Sequence, residues 1–449
     1  MKNLVIFINL IISIYLYAIA PEEYNLPYCI IALILFLITF AVVLVYRERK
    51  NYFTFEFIFS IVFFFVYYLY PVFGYLGNKY IYVFHFNANY ITKCTLLATI
   101  GYIAFSLGLL NKSKIRIVLN KKKTITYIKS YNKNYYLVIT FVAIVSCVIT
   151  VMQMFVFHAN RYSGIGDSGV WGYLKLLRGG ATYACLTLIF YRIIYSTEKK
   201  SIVKQLIPYF IFLGIECVVM AISGYRAVPL GYILIVFSGI AIVKKKVSIG
   251  KMAILIFVGF LVLYMLMLFR ADNMDKFQLN IFSITSDLIT NNITSFLSYE
   301  YVKENGFAIF PLIGSLLMLV PFLLGTVVRL CAIPTQFVSS AELLTYMATG
   351  KIAAESVGLG TNIIASLYLS VGMIGIVMFM FCYGKLIDII SKGTINANLY
   401  KLFLYFEMMS VSVYQVRADF FYQIPFILWG YIFLKIILRM TCRVGKIYD

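Results

Sequence analysis

Apolar blocks of about 18–24 residues recur along the whole chain, each long enough to cross a hydrocarbon core of ~30 Å as a helix. Lipid offers a backbone amide no partner, so a spanning segment must close its own hydrogen bonds, as a helix does. Composition agrees: 62% of the residues are hydrophobic and 13% charged, against about 25% charged in a soluble domain. The chain reads as an all-α polytopic membrane protein, a single integral membrane domain over 1–449 with about 12 transmembrane helices. The spans fall near 3–20, 26–46, 52–75, 91–110, 135–157, 179–196, 205–222, 227–243, 252–269, 361–381, 395–415 and 420–438.

The net charge of +21 invites a nucleic-acid reading, but the positions of the charges exclude one. Basic residues crowd alternate loops: Arg47, Arg49 and Lys50; Lys112 through Lys133; Lys199, Lys200 and Lys204; Lys244 to Lys246; and the tail Lys435, Arg439, Arg443 and Lys446. If the N-terminus is cytoplasmic, that side holds 27 of the 39 Lys and Arg residues and the other side 12, as the positive-inside bias requires. Both termini are expected inside. The stretch from Lys2 to Ala18-Ile19-Ala20 also resembles a signal peptide, but Pro21 directly after the small residues opposes cleavage. The cysteines lie mostly in or beside spans and show neither disulfide nor zinc spacing.

Two outer loops are long: one from Ala159 to about Arg178, and a larger one over 270–360, between spans 9 and 10. The larger holds an apolar piece, Phe307–Gly325, that matches a span in length. Counting it as a span would put Lys385, Lys392 and the basic tail outside, against the charge bias. Pro311 and Pro321 also break it. It is expected to form one or two interfacial or re-entrant helices, tolerated where broken backbone lines a cavity.

The outer side differs from the inner in kind as well as in number of cations. Arg161, Arg178, Arg226, Arg270, Arg329 and Arg417 make up half of the outer basic residues, whereas lysine dominates inside. Guanidinium offers planar, bidentate donors to phosphate and keeps its charge in a dry site. Arg226, Arg270 and Arg417 each stand at the outer end of a span, and Arg329 follows the broken apolar piece. Snorkelling to the interface is the structural reading of any one of them. Together they suggest an anionic, lipid-linked substrate, most simply a polyprenyl diphosphate. His85 and His158 are the only histidines, and no G-x-S-x-G, D-x-D or Walker motif occurs. Glu56, Glu216 and Glu407 fall within spans; structural pairing ranks above a proton relay for them. Outer aromatics such as Trp171, Tyr173, Tyr299 and Tyr301 are candidates to stack on sugars.

Three stretches carry a family resemblance. SGYRAVPLGYI, from Ser223, resembles a Ser/Thr-Gly-x-Arg turn before a span. GLGTNIIASLYLSVGMIGIVMFMFCYG, from Gly358 to Gly384, resembles a Gly-rich lead into a span with Tyr-x-x-x-Gly-x-x-Gly. QVRADFFYQIP, from Gln415 to Pro425, resembles an Arg-x-Asp-Phe segment opening the last span. In this order they resemble the Wzy-type O-antigen or capsular oligosaccharide repeat-unit polymerases, over roughly residues 205–440. The earlier part matches in topology only. One departure stands out: where an acid is expected after GLG, this chain has Ser366.

The resemblance implies a metal-independent, cofactor-free glycosyltransferase of the bacterial inner membrane with its active site facing the periplasm. It would move a growing glycan from undecaprenyl diphosphate onto a lipid-linked repeat unit. Its partners would be the lipid-linked donor and acceptor and the membrane lipids, with a chain-length regulator as a further candidate. Arg226 and Arg417 fall on the motifs and lead the diphosphate-binding candidates, followed by Arg270 and Arg329. Asp419 leads the candidates for catalytic acid-base work, followed by Glu342 and Glu355; an Arg417–Asp419 structural pair is the alternative for that acid. An O-antigen ligase is the nearest rival, but its expected histidine is missing from 270–360. A flippase or transporter would call for inverted repeats and short loops.

Overall fold

The computed structural model describes residues 2–47, 51–77, 84–110, 124–157, 169–197, 199–244, 247–268, 282, 285–351, 358–393 and 398–448. A helix occupies each of the twelve expected places. Among the described residues, six helices are long and apolar enough to cross a membrane: Leu26–Tyr46, Phe55–Gly74, Ala88–Leu110, Tyr135–Val156, Ile363–Lys392 and Ile424–Thr441. The pair Lys199–Gln205 and Ile207–Ile222, bent by 54°, makes a seventh if taken as one span. Asn3–Ile19, Ala227–Val243 and Ile249–Gly259 are shorter apolar helices. This is an all-α membrane architecture. The apolar piece of the large loop is two short helices, Phe310–Leu317 and Leu323–Leu330, separated at Phe322, whose φ is 64°.

The chain divides into two compact units. The first comprises Met1–Lys112, Ser248–Asp388 and Ser412–Tyr422. Its most enclosed element is the helix Ile91–Leu110, nearly every residue of which is buried. Small residues set how closely that helix meets the Ile363–Gly393 helix: a Cβ on Gly108 would fall on the Phe381 carbonyl, and one on Gly384 on the Phe105 carbonyl. Backbone contact of this kind substitutes for a hydrophobic drive, which lipid does not supply.

The Ile363–Gly393 helix is broken at Gly372, where φ is 67° and ψ is −166°, a conformation essentially reserved for glycine. The break frees the Leu369 carbonyl, which accepts a hydrogen bond from Ala308 N at 2.9 Å. The Phe307 ring fills the space a side chain at position 372 would need, lying 2.9 Å from a built Cβ. The first glycine of the Tyr-x-x-x-Gly-x-x-Gly pattern is thus the hinge on which the large loop is pinned to the span.

The second unit comprises Ser113–Val247, Ile389–Val411 and Gln423–Asp449. It holds the helices Tyr135–Val151, Gly169–Tyr195, Ile207–Ile222, Ala227–Lys244, Leu399–Ser410 and Ile424–Thr441. It also holds an element that the reading as spans and loops did not foresee. Strand β1 (Thr124–Tyr131) pairs antiparallel with strand β2 (Cys442–Tyr448), from Thr124 opposite Tyr448 to Tyr131 opposite Cys442. The sequence signal was there: Thr124-Ile-Thr-Tyr-Ile is β-branched and aromatic, a composition that favours a strand once a partner exists. Arg192 anchors the base of this ribbon, its guanidinium 4.3 Å, 4.5 Å and 4.5 Å from the ring centres of Tyr131, Tyr135 and Tyr136.

Candidate active site

Two of the sequence motifs meet in the first unit. The segment between the Leu399–Ser410 and Ile424–Thr441 helices turns through a short 3-10 stretch, Gln415–Arg417, and Ala418 then extends the backbone. Gln415 ties the turn together: Nε2 donates to the carbonyls of Asp419 at 3.2 Å and Phe420 at 3.1 Å. Phe420 N donates to Ser366 Oγ at 3.3 Å. Ser366, the residue standing where an acid was expected, therefore docks the Arg-x-Asp-Phe segment onto the other motif.

Arg417 and Asp419 do not pair with one another. Arg417 Nη2 donates to Asn291 Oδ1 at 3.2 Å. Asn291 Nδ2 donates to the Thr361 carbonyl at 3.3 Å. Thr361 Oγ1 lies 3.0 Å from Ser340 Oγ, and the Ser340 hydroxyl donates to the Asp419 carboxylate. Cation and carboxylate are the two ends of one circuit made of neutral groups. Among the described residues Arg417 has no ion pair, and its Nε is buried without a hydrogen-bond partner. A buried guanidinium donor is costly to leave unmade, so this one has the capacity for a further acceptor.

Asp419 is half-buried as a residue, but its carboxyl lies in the interior. Burial pushes that carboxyl up to about 6, with the Ser340 hydrogen bond working against the rise. At neutral pH it is mostly ionised and more basic than an ordinary carboxylate. That is the condition a general base needs.

Asn362 is the hub of the surrounding scaffold. Its Nδ2 lies 2.8 Å from three acceptors that share its two N–H groups: the Asn291 carbonyl, Thr294 Oγ1 and Ser295 Oγ. Its Oδ1 accepts from the Tyr67 hydroxyl at 2.8 Å and from Ala365 N at 2.7 Å. Sequence reasoning missed Asn291, Ser340, Thr361 and Asn362. The only signal was that Thr361 and Asn362 follow the quoted Gly-Leu-Gly directly.

The remaining expected residues scatter. Glu342 holds a helix-capping place: Ser339 Oγ accepts from Glu342 N at 3.1 Å, the Ser-x-x-Glu arrangement of a capping box. Arg329 is exposed in the last turn of its short helix. Arg270 and Glu355, like Arg161 and His158, lie outside the described residues. Arg226 belongs to the second unit. There Gly224, with φ at 88°, ends the Ile207–Ile222 helix, and Tyr225 N reaches back to the Met220 carbonyl at 2.9 Å. This closes the helix end and sets Arg226 directly before Ala227, the first residue of the next helix. Of the outer aromatics, Tyr299 stacks on Tyr368, 5.5 Å between centres and 6° between planes, and Trp171 packs on Phe157 at 4.9 Å. Both work in packing.

The family model for O-antigen polysaccharide polymerase Wzy matches residues 1–446. The chain belongs to that family. The match takes in both the Arg417 circuit and the Arg226 turn, and it extends the resemblance through the first half of the chain. No curated protein and no solved structure matches. As a member of the Wzy family the chain is an O-antigen repeat-unit polymerase, a glycosyltransferase-like polymerase that acts on lipid-linked oligosaccharide repeat units. Family and apolar helices together make it a multi-pass inner-membrane protein.

Proposed function

We propose that the chain transfers a growing glycan from undecaprenyl diphosphate onto the end of a lipid-linked repeat unit, at the outer face of the cytoplasmic membrane. The observation that carries this reading is the separated pair: Arg417, with charge intact and Nε open, and Asp419, a basic carboxylate, joined by neutral groups. The acceptor hydroxyl attacks the donor's anomeric carbon. Its proton passes to the Asp419 carboxylate. The bond from that carbon to the phosphate oxygen breaks, and its electron pair leaves on the undecaprenyl diphosphate. Arg417 meets the developing negative charge from a preorganised, water-poor position. Binding along the lipid and the remote sugars aligns the two reacting atoms.

Arg226 serves as a second phosphate-facing cation, held on a rigid helix start whose amides also favour anions. Arg270 and Arg329 contribute to the outer field, and Glu342 and Glu355 rank behind Asp419 as bases. No metal ion or cofactor enters this scheme. The reading takes twelve spans, the 270–360 segment outside and both termini in the cytoplasm, with a chain-length regulator as a partner. The β1–β2 ribbon supports that topology, because it joins the 112–133 loop to the tail, two segments the charge bias puts on one side.

The test is the surface-glycan profile of a deletion strain complemented with wild-type or Arg417→Ala protein. The reading expects one core-plus-one-repeat band and accumulating lipid-linked single units in the deletion and in the variant. Long lipid-linked polymer without attached repeats would mean a ligase. Repeat units held on the cytoplasmic face would mean a transporter.

A further inference from the structure

We infer that Asn291 is a positioning residue for Arg417, a neutral amide that aims the guanidinium at a diphosphate without cancelling its charge. The inference rests on the reading of Arg417 given above. Every polar group of the Asn291 side chain is engaged. Its Oδ1 takes Arg417 Nη2 at 3.2 Å, and its Nδ2 donates to the Thr361 carbonyl at 3.3 Å. Its backbone carbonyl accepts from Asn362 Nδ2 at 2.8 Å and from Thr294 Oγ1 at 2.7 Å. Asn291 is buried, at 4% exposure.

An aspartate would present an oxygen to Arg417 at the same reach, but it would set its other oxygen against the Thr361 carbonyl and bring a negative charge. A carboxylate in that place would form a buried ion pair with Arg417, and a guanidinium so balanced is a poor magnet for phosphate. The amide leaves the full positive charge in place and consumes one donor. Of the other four donors, Arg417 Nε is buried and, among the described residues, without a hydrogen-bond partner. The amide nitrogen fixes which way round the side chain sits, since only N–H can face the Thr361 carbonyl. The same Thr361 meets Ser340, so Asn291 also sets the spacing between the cation and the base.

The test uses the full-length protein in nanodiscs, with farnesyl diphosphate and farnesol as probes. Asn291→Asp should weaken diphosphate binding about tenfold or more, as Arg417→Ala does, because the charged hydrogen bond from the guanidinium to the diphosphate is lost in each. Farnesol binding should not change in either variant. Asn291→Ala, which keeps the charge but loses the aim, should weaken diphosphate binding about threefold. If Asn291→Asp does not fold, Asn291→Ala decides in the same assay. Loss with Arg417→Ala but wild-type affinity in the Asn291 variants overturns this inference and leaves the reading of Arg417 standing. Equal weakening of farnesol and farnesyl diphosphate by the Asn291 variants means a merely structural role and also overturns it. Unchanged diphosphate binding in Arg417→Ala overturns both.

Discussion

Arg178 and Arg417 are both arginines that the charge bias assigns to the outer side, and the structure treats them in opposite ways. In the second unit, Arg178 Nε lies 3.3 Å from Glu216 Oε1, and both side chains are almost wholly buried. Thr150 and Met220 Sδ take the remaining nitrogens, while Ser146 and Tyr232 hydroxyls complete the carboxylate. Arg47 in the first unit follows the same rule, bridging Glu56 at 2.6 Å and Asp388 at 2.7 Å. Among the described residues Arg417 meets no carboxylate: its Nη2 donates to the Asn291 amide oxygen, and its guanidinium lies 5.9 Å from the ring centre of Tyr414. The difference separates two uses of one side chain. A guanidinium neutralised by carboxylate joins helices in a low-dielectric interior, where an unmatched charge is expensive. A guanidinium kept charged is useful only if something anionic arrives.

This contrast can be broken in order of expected effect. Arg178→Ala should cost about 3–5 kcal/mol of stability by stranding Glu216, seen as loss of folded protein on size exclusion. Replacing Arg178 and Glu216 together with apolar residues should recover most of it. Arg417→Ala should do the reverse, keeping the thermal midpoint and lowering polymerisation about a thousandfold, measured as polymer formed per folded protein. An Arg178→Ala protein of normal stability, or an Arg417→Ala protein that fails to fold, would erase the distinction.

Asp419→Asn should lower activity about a hundredfold without lowering the melting temperature. The sign follows from the carboxyl's raised value: with the folded form near 6 and the unfolded one near 3.9, the folded state holds the extra proton. Its stability contribution is therefore full below the unfolded value and declines as pH rises through about 6. Removing the charge at pH 7 removes a penalty. For the wild type, the rate should fall as pH drops through about 6; a flat profile from 7 to 5 would exclude Asp419 as base. Gly372→Ala should cost about 1–3 kcal/mol through its positive φ alone, read as a lower midpoint. Arg226→Lys should have the smallest effect, about a fivefold loss if bidentate phosphate contact is lost, and none if only a point charge matters there.

Much of the frame was legible in sequence, for reasons particular elements make plain. The helices Leu26–Tyr46 and Ile91–Leu110 fall on the expected bounds, because lipid allows an apolar run one outcome. The two prolines of Phe307–Gly325 announced a broken piece, and the structure has two short helices with a turn at Phe322. The ribbon was less visible. Strand pairing depends on a partner more than 300 residues away, and local propensity does not name it.

The site divides along the same line. Sequence marked Arg417 through the sorting of cations by side, and Asp419 through the resemblance of its segment to an Arg-x-Asp-Phe motif. It left open whether the two neutralise one another, and it passed over Asn291, Ser340 and Asn362. Amides and hydroxyls are common in loops and carry no charge to flag them. They become significant only once the fold brings residue 291 beside 417 and residue 340 beside 419. Sequence determined which charges the chain carries beside its apolar runs. Tertiary structure alone decided which are spent on one another and which stay free, because neutralisation is a matter of a few ångströms between residues far apart in the chain.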